Sequence, residues 1–308
     1  MVVRHENAPS TVLPSLGVLV AGGIWGLFWY PLRLVGAEGV SADWVNLMFF
    51  AVSATFILPW ALRGGTRAAA GRDQWITGLL LGTAFAFYTL SLVMTEVVRA
   101  ILLFYLTPVW SALIGVAFLG ERLTARRALA LALGFGGLWL ILGGESGLPV
   151  PRNAGDWIGL VAGLCWSLGT LGSYHRPSSS IAAGVLAFSL GGLAVTAAAM
   201  MVRHQFGGLS TDLAAVVRAA PLVLTLGLCM FTIPNIVVLW AAQRVEPARI
   251  GILLLAEVLT GTVSAALFSD EPFGAAQGLG AMLIAAAGAV EVSARRQGRE
   301  GAAAAAHP

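Results

Sequence analysis

Residues 251–261 read GILLLAEVLTG, an apolar run with one carboxylate, Glu257, near its middle. An acid at that depth is costly to bury and is a functional candidate by default, suited to proton coupling or to pairing with an ammonium group. The structural alternative is a hydrogen bond to a broken helix or to a nearby Ser, Thr or Asn. The other polar chemistry inside apolar runs is aromatic. Trp25 lies four residues before Trp29, Tyr88 three after Phe85, Tyr105 just before Pro108, and Trp166 deep in its own run. Tyr and Trp need partners for their polar atoms when buried, so these residues suit the lining of a central cavity. Trp44, Trp60, Trp75 and Trp157 stand at segment ends and read instead as interfacial anchors.

Pro108 removes a helix hydrogen bond and frees the carbonyl of Phe104. Such breaks are tolerated in membrane helices where protein or a water-filled cavity satisfies the freed group. Pro234–Asn235 repeats the pattern of a break beside a polar side chain. Candidate binding residues are therefore Trp25, Tyr88, Tyr105, Trp166 and Asn235. Candidates for coupling or gating are Glu257, Pro108, Arg99 and Arg249. The two arginines open equivalent segments that end in Glu121 and Glu271, where exposed pairs would each contribute only about 0–1 kcal/mol.

Enzymatic chemistry finds no constellation. His5, His175, His204 and His307 fall in tails or at segment ends, and Asp43, Asp73, Asp156, Asp212 and Asp270 read as loop residues. No spacing suits zinc or a His–carboxylate pair, and no glycine loop would cradle phosphate. The expectation is a protein that is not an enzyme, with no catalytic residue, metal or cofactor. Cys165 and Cys229, in separate apolar runs, read as packing residues.

The elements that carry these residues are apolar almost throughout. Hydrophobic residues make up 58% of the 308-residue chain and charged ones 11%, against about 25% in soluble domains. Ten apolar segments follow one another, at about 14–36, 44–63, 75–95, 99–119, 126–143, 156–173, 180–202, 220–243, 248–268 and 274–294. Most are near the roughly 20 residues needed to cross a bilayer. The chain is expected to be an all-α membrane protein with ten transmembrane helices. All 18 basic residues are arginine. With the N-terminus in the cytoplasm, 13 of them fall inside and 5 outside, the bias expected of a multi-pass protein. Both termini are thus placed in the cytoplasm, the basic balance is not a sign of nucleic-acid binding, and the alanine-rich tail is expected to be disordered.

RAILLFYLTPVWSALIGVAFLGE (99–121) and RIGILLLAEVLTGTVSAALFSDE (249–271) share their first Arg, a late Phe and a final Glu at a constant offset of 150 residues. AGGIWG (21–26) and AGLCWS (162–167) form a weaker pair that matches Trp25 with Trp166. Two repeats of five helices, 1–145 and 146–308, follow. Because five is odd, the repeats are inverted, an architecture typical of secondary transporters. Asn235 falls opposite Phe85, and Glu257 opposite Thr107, at the same offset. The glycine-rich stretches GFGGLW (134–139) and GLGAMLIAAAGA (278–289) are expected to pack within a monomer.

TPVWSALIGVAFLGERLTARRALALALGFGGLWLIL (107–142) resembles the first-repeat signature of the drug/metabolite transporter superfamily. LLLAEVLTGTVSAALFSDEPF (253–273) resembles the matching EamA-type phrase, with Val258 where that phrase commonly has proline. Tyr105–Leu106–Thr107–Pro108 with Trp166 is similar to the YddG-type aromatic amino-acid exporters. The resemblance implies a bacterial inner-membrane exporter of small metabolites, most of all amino acids including aromatic ones, working by alternating access. Its partners would be that small molecule and the lipid bilayer. The alternative is efflux of lipophilic cations or drugs, for which Glu257 is the one deep carboxylate.

Overall fold

A computed structural model describes residues 12–63, 71–107, 109–110, 113–114, 117, 125–143, 151–175, 180–205, 212–242, 247–269, 274–287 and 289–290. The described residues are helical nearly throughout, and no strand occurs among them. In a hydrocarbon environment the backbone must satisfy its own hydrogen bonds, and a helix does so within one segment.

The first apolar segment holds α1 (Val12–Gly26) and α2 (Trp29–Ala37), the second α3 (Ala42–Arg63) and the third α4 (Arg72–Met94). The fourth opens with α5 (Val97–Phe104), and the fifth is α6 (Ala125–Gly143). The sixth is α7 (Ala154–His175) and the seventh α8 (Ile181–Gln205). The eighth is α9 (Leu213–Leu226), a π-helical turn (Gly227–Thr232) and α10 (Ile233–Ala242), and the ninth is α11 (Pro247–Phe268). The tenth carries α12 (Ala275–Ala287). Among the described residues, six spans are long and apolar enough to cross a membrane: 12–37, 42–63, 72–94, 154–173, 181–202 and 213–241.

Neighbours in sequence are not the main packing partners. α1 lies against α11 and α10, α3 against α8, α4 between α7 and α8, and α5 against α7 and α11. Of the helices before residue 145, α1, α3, α4 and α5 therefore pack mainly on helices from after it. Ser91 Oγ donates to the Gly155 carbonyl (2.8 Å) and Ser189 Oγ to Ser53 Oγ (2.8 Å), polar ties across these interfaces. Gly137 approaches the Gly280 carbonyl so closely that a Cβ there would stand 2.7 Å away, so α6 and α12 meet along their small residues inside the chain.

Three segments are interrupted, each for a reason in its residues. Pro31 cannot donate to the Leu27 carbonyl, and the chain tightens between α1 and α2. Leu27 and Phe28 donate back to Ile24 and Trp25, while Tyr30 takes the Leu27 carbonyl at 3.3 Å. α5 ends at Phe104, with Leu106 bonding to Leu103 at 3.4 Å. Pro234 follows the π-helical turn, where the widened backbone makes room for its ring. Thr232 Oγ1 bonds the Gly227 carbonyl (2.8 Å) and Asn235 Nδ2 the Phe231 carbonyl (3.2 Å). Pro108 itself, Glu121, Glu271 and the C-terminal tail lie outside the described residues, as does the side chain of Arg249.

Two expectations need correction. Asp43, Asp73 and Asp156 are not loop residues: they sit in the first turns of α3, α4 and α7, and Asp43 and Asp156 are buried. Trp44 packs against the hydrophobic core, whereas Trp60, Trp75 and Trp157 are exposed on the outer surface of the bundle.

Candidate functional site

Glu257 lies midway along α11, 3% exposed. The approach of α1 to α11 at this level depends on Gly26. A Cβ there would collide with Thr260 Oγ1 and lie 2.5 Å from the Glu257 carbonyl and 2.7 Å from the Gly261 nitrogen. Two further bonds hold the crossing, from Thr260 Oγ1 to the Gly23 carbonyl (3.2 Å) and from Trp29 Nε1 to Ser264 Oγ (2.9 Å).

Two tyrosines meet the Glu257 carboxylate. Tyr88 on α4 donates its hydroxyl to Oε1 at 2.8 Å. Tyr105, just past the end of α5, reaches Oε2 at 2.7 Å, and its hydroxyl also lies 3.0 Å from the Leu254 carbonyl. Among the described residues the carboxylate thus has neutral hydroxyl partners and no salt bridge. Tyr105 can reach across because α5 stops at Phe104, which swings the next side chain toward α11. Just past this break α7 ties to the backbone, where Ser167 Oγ donates to the Thr107 carbonyl at 3.0 Å.

An aromatic ladder runs through the cluster. Trp25 meets Phe85 edge-on (5.9 Å between centroids), Phe85 meets Tyr88 (6.3 Å), Tyr88 stacks on Phe104 (4.5 Å), and Phe104 meets Trp166 (5.8 Å). The repeat mates Trp25 and Trp166 therefore stand at the two ends of one ring chain with the carboxylate cluster in its middle. Phe85 is also in contact with Phe28, Phe188 and Phe231, the last at 4.8 Å and contributed by the π-helical turn. Trp25 Nε1 is buried and has no hydrogen-bond partner among the described residues. Asn235 is buried and gives its amide to its own helix at Phe231, one step from the ladder.

Arg99 belongs to a different place. Its guanidinium is 2% exposed and pairs with Asp156, Nη2 to Oδ2 at 2.5 Å and Nε to Oδ1 at 3.4 Å. Thr95 Oγ1 donates to the same carboxylate at 2.7 Å and the Arg152 backbone N–H at 2.9 Å. Asn153 caps the start of α7 by accepting from the Asp156 N–H (2.9 Å), and its amide donates to Thr95 Oγ1 (3.1 Å). Arg33 donates to the Thr95 carbonyl (3.1 Å), closing the end of α4. This network locks the α4–α5 corner to the start of α7. Arg99 is therefore a deeply buried ion-pair partner and not the exposed interfacial charge its place at a segment end suggested. Sequence reasoning passed over Asp156, although N-x-x-D at 153–156 has the spacing of a helix-capping pair. Asn46 was also missed: it donates to the Ala86 carbonyl (3.1 Å) and accepts from Thr89, tying α3 to α4.

The comparisons agree with this architecture. A solved crystal structure of a protein aligns with 91% of this chain and 98% of its own, at a TM-score of 0.59 and 20% identity, and so has a similar fold. A curated relative from Archaeoglobus fulgidus, named an uncharacterized transporter, is 32% identical over 139 residues, 44% of this chain. The chain spans about half the length of that relative, 47%. The EamA-like transporter family matches residues 13–143 and again 153–290, which together take in nine of the ten apolar segments, most of the tenth, and every candidate binding, coupling or gating residue. With an all-helical bundle of that fold around a buried polar cluster, this chain belongs to the EamA-like transporter family, whose members are membrane transporters.

Proposed function

We propose that this transporter exports small metabolites, chiefly amino acids including aromatic ones, across the bacterial inner membrane by alternating access. The single observation that carries the reading is the Tyr88–Tyr105–Glu257 cluster, set in an aromatic ladder where interrupted helices meet. A planar or apolar side chain would exchange stacking partners with Trp25, Phe104 and Trp166, while tyrosine, Asn235 and indole groups serve its polar end. Interrupted helices near the midplane are the usual way such a site obtains free polar backbone. In this reading the halves 1–145 and 146–308 are inverted repeats that move against each other, with both termini cytoplasmic and the chain a monomer. Pro108 and Glu257 mark the moving centre, and Arg99 and Arg249 the two ends.

A second reading, efflux of lipophilic cations, is favoured by one fact: Glu257 has no cationic partner among the described residues. Binding separates the two. Labelled phenylalanine and labelled tetraphenylphosphonium are each equilibrated with the purified full chain and with Trp25→Phe. Because Trp25 Nε1 has no hydrogen-bond partner among the described residues, this variant gives up none of the bonds that hold the fold there and should remain folded. Phenylalanine is expected to bind, compete with tyrosine and tryptophan, and weaken about tenfold or more in Trp25→Phe. That is the effect of one buried hydrogen bond to a charged carboxylate, about 1.5–3 kcal/mol. Binding of the cation with none of phenylalanine would replace the first reading with the second.

A further inference from the structure

One of the two hydroxyls on Glu257 has two places to send its proton. Tyr105 lies 2.7 Å from Oε2 and 3.0 Å from the Leu254 carbonyl, one helical turn before Glu257 on the same helix. A phenol carries one proton and can also accept, and a carbonyl oxygen has a second lone pair beyond its helix bond. When Glu257 is ionised, Tyr88 and Tyr105 both donate to it and each carboxylate oxygen is satisfied. When a proton sits on Oε2, the carboxyl donates to the Tyr105 oxygen and the Tyr105 proton turns to the Leu254 carbonyl. Tyr88 goes on donating to Oε1. Every donor has an acceptor in both states, and no heavy atom needs to move. Tyr88 has no such second acceptor among the described residues, so the two tyrosines are not equivalent.

The surrounding charges leave Glu257 without a fixed counter-ion. Of the elements packed on α11, α1 and α10 contain no ionisable side chain, and α2 carries Tyr30, whose ring meets Phe268, and Arg33, which donates to the Thr95 carbonyl. The one such residue of α5, Arg99, is committed to Asp156. On α4, Arg72 and Asp73 lie in the first turn, about 24 Å along the helix from Tyr88. On α11 itself, Arg249 stands eight residues away, about 12 Å along the axis. A carboxylate buried among apolar helices and held only by neutral hydroxyls calls for a mobile positive charge. The pair of acceptors on Tyr105 fits the smallest one.

We infer that Glu257 is a proton-binding site and Tyr105 its switching partner, which accepts from the protonated acid and redirects its own proton to the Leu254 carbonyl. The geometry alone supports the site; its use as the coupling step rests on the transport reading above. In each cycle one proton would add to the carboxylate with the cluster open to one side and leave with it open to the other.

The test needs no substrate. Infrared difference spectra are recorded on the purified full chain between acidic and alkaline buffers, for the parent, Glu257→Gln, Tyr105→Phe and Tyr88→Phe. Each replacement keeps the shape of its side chain. The expected result is a protonated-carboxyl band in the parent that is absent in Glu257→Gln. The band should move to higher frequency in Tyr105→Phe, where the acid loses its acceptor, and in Tyr88→Phe, where the carbonyl oxygen loses its donor. The proposal is overturned if no such band titrates while the protein stays folded, if the band survives in Glu257→Gln, or if Tyr105→Phe leaves it in place. A titrating Glu257 band in a protein that moves no phenylalanine would leave the proton site standing and remove the amino-acid reading. Phenylalanine flux without the band would do the reverse.

Discussion

Asp156→Ala should cost about 3–5 kcal/mol of folding stability, the usual result of leaving one member of a buried ion pair without its partner. The replacement strands the Arg99 guanidinium, itself 2% exposed, in a pocket where Thr95 and the Arg152 N–H have lost their acceptor as well. The effect should extend beyond the pair, because the same carboxylate joins the α4–α5 corner to the start of α7. Reversible unfolding of the purified protein in mixed micelles measures it. A companion variant, Arg99→Met with Asp156→Leu, removes both charges and should recover most of the loss, since an apolar pair of similar volume avoids the desolvation cost. A loss under about 1 kcal/mol in Asp156→Ala would mean that water reaches the pair and that it behaves as an exposed one.

Gly26→Ala should have the second large effect, and it should fall on transport as well as on stability. A methyl at this position meets the Glu257 carbonyl and the Gly261 nitrogen, which are backbone atoms of α11 and cannot rotate aside. α1 must therefore move off α11, breaking the Thr260–Gly23 bond and shifting Glu257 relative to Tyr88 and Tyr105. Overpacking of this kind costs about 1–3 kcal/mol. A displacement of the carboxylate by even a fraction of an ångström spoils hydrogen bonds of 2.7 and 2.8 Å. Gly36→Ala is the control. A Cβ at Gly36 meets nothing within 4 Å, so the change should stay within about 0.5 kcal/mol of the parent. Equal behaviour of the two variants in unfolding and in flux would show that α1 and α11 do not touch at Gly26.

The helices themselves were legible because a run of about 20 apolar residues has one stable solution in a bilayer. Glu257, Tyr88, Tyr105 and Trp166 were visible singly, as polar or aromatic residues in apolar surroundings. Their partnership was not, since Tyr88 and Glu257 are 169 residues apart and nothing in either segment names the other. The repeat offset paired Glu257 with Thr107, whereas the side chain that reaches it from that region is Tyr105, turned by the break that ends α5. Pro234 reads as an interruption in the sequence, whereas Pro31, inside the first apolar segment, does not. How the backbone answers them, by a tightened turn at one and a widened π-helical turn at the other, depends on neighbours such as Phe28 and Phe231 that pack at the gap. Arg99 was placed at the right element and in the wrong environment. A segment end is usually wet, and only the fold brings Asp156 beside it.

Labelled phenylalanine flux into proteoliposomes, for the parent and for Trp166→Ala, tests most directly whether the aromatic cluster around Glu257 passes amino acids. Trp166 closes one end of the ladder against Phe104, and no hydrogen bond from its indole holds another element in place among the described residues. The expected result is saturable flux in the parent, inhibited by other amino acids, and a fall of about tenfold or more in folded Trp166→Ala. Folded parent protein that carries no phenylalanine, or a Trp166→Ala variant that carries it as well as the parent, would contradict the assignment.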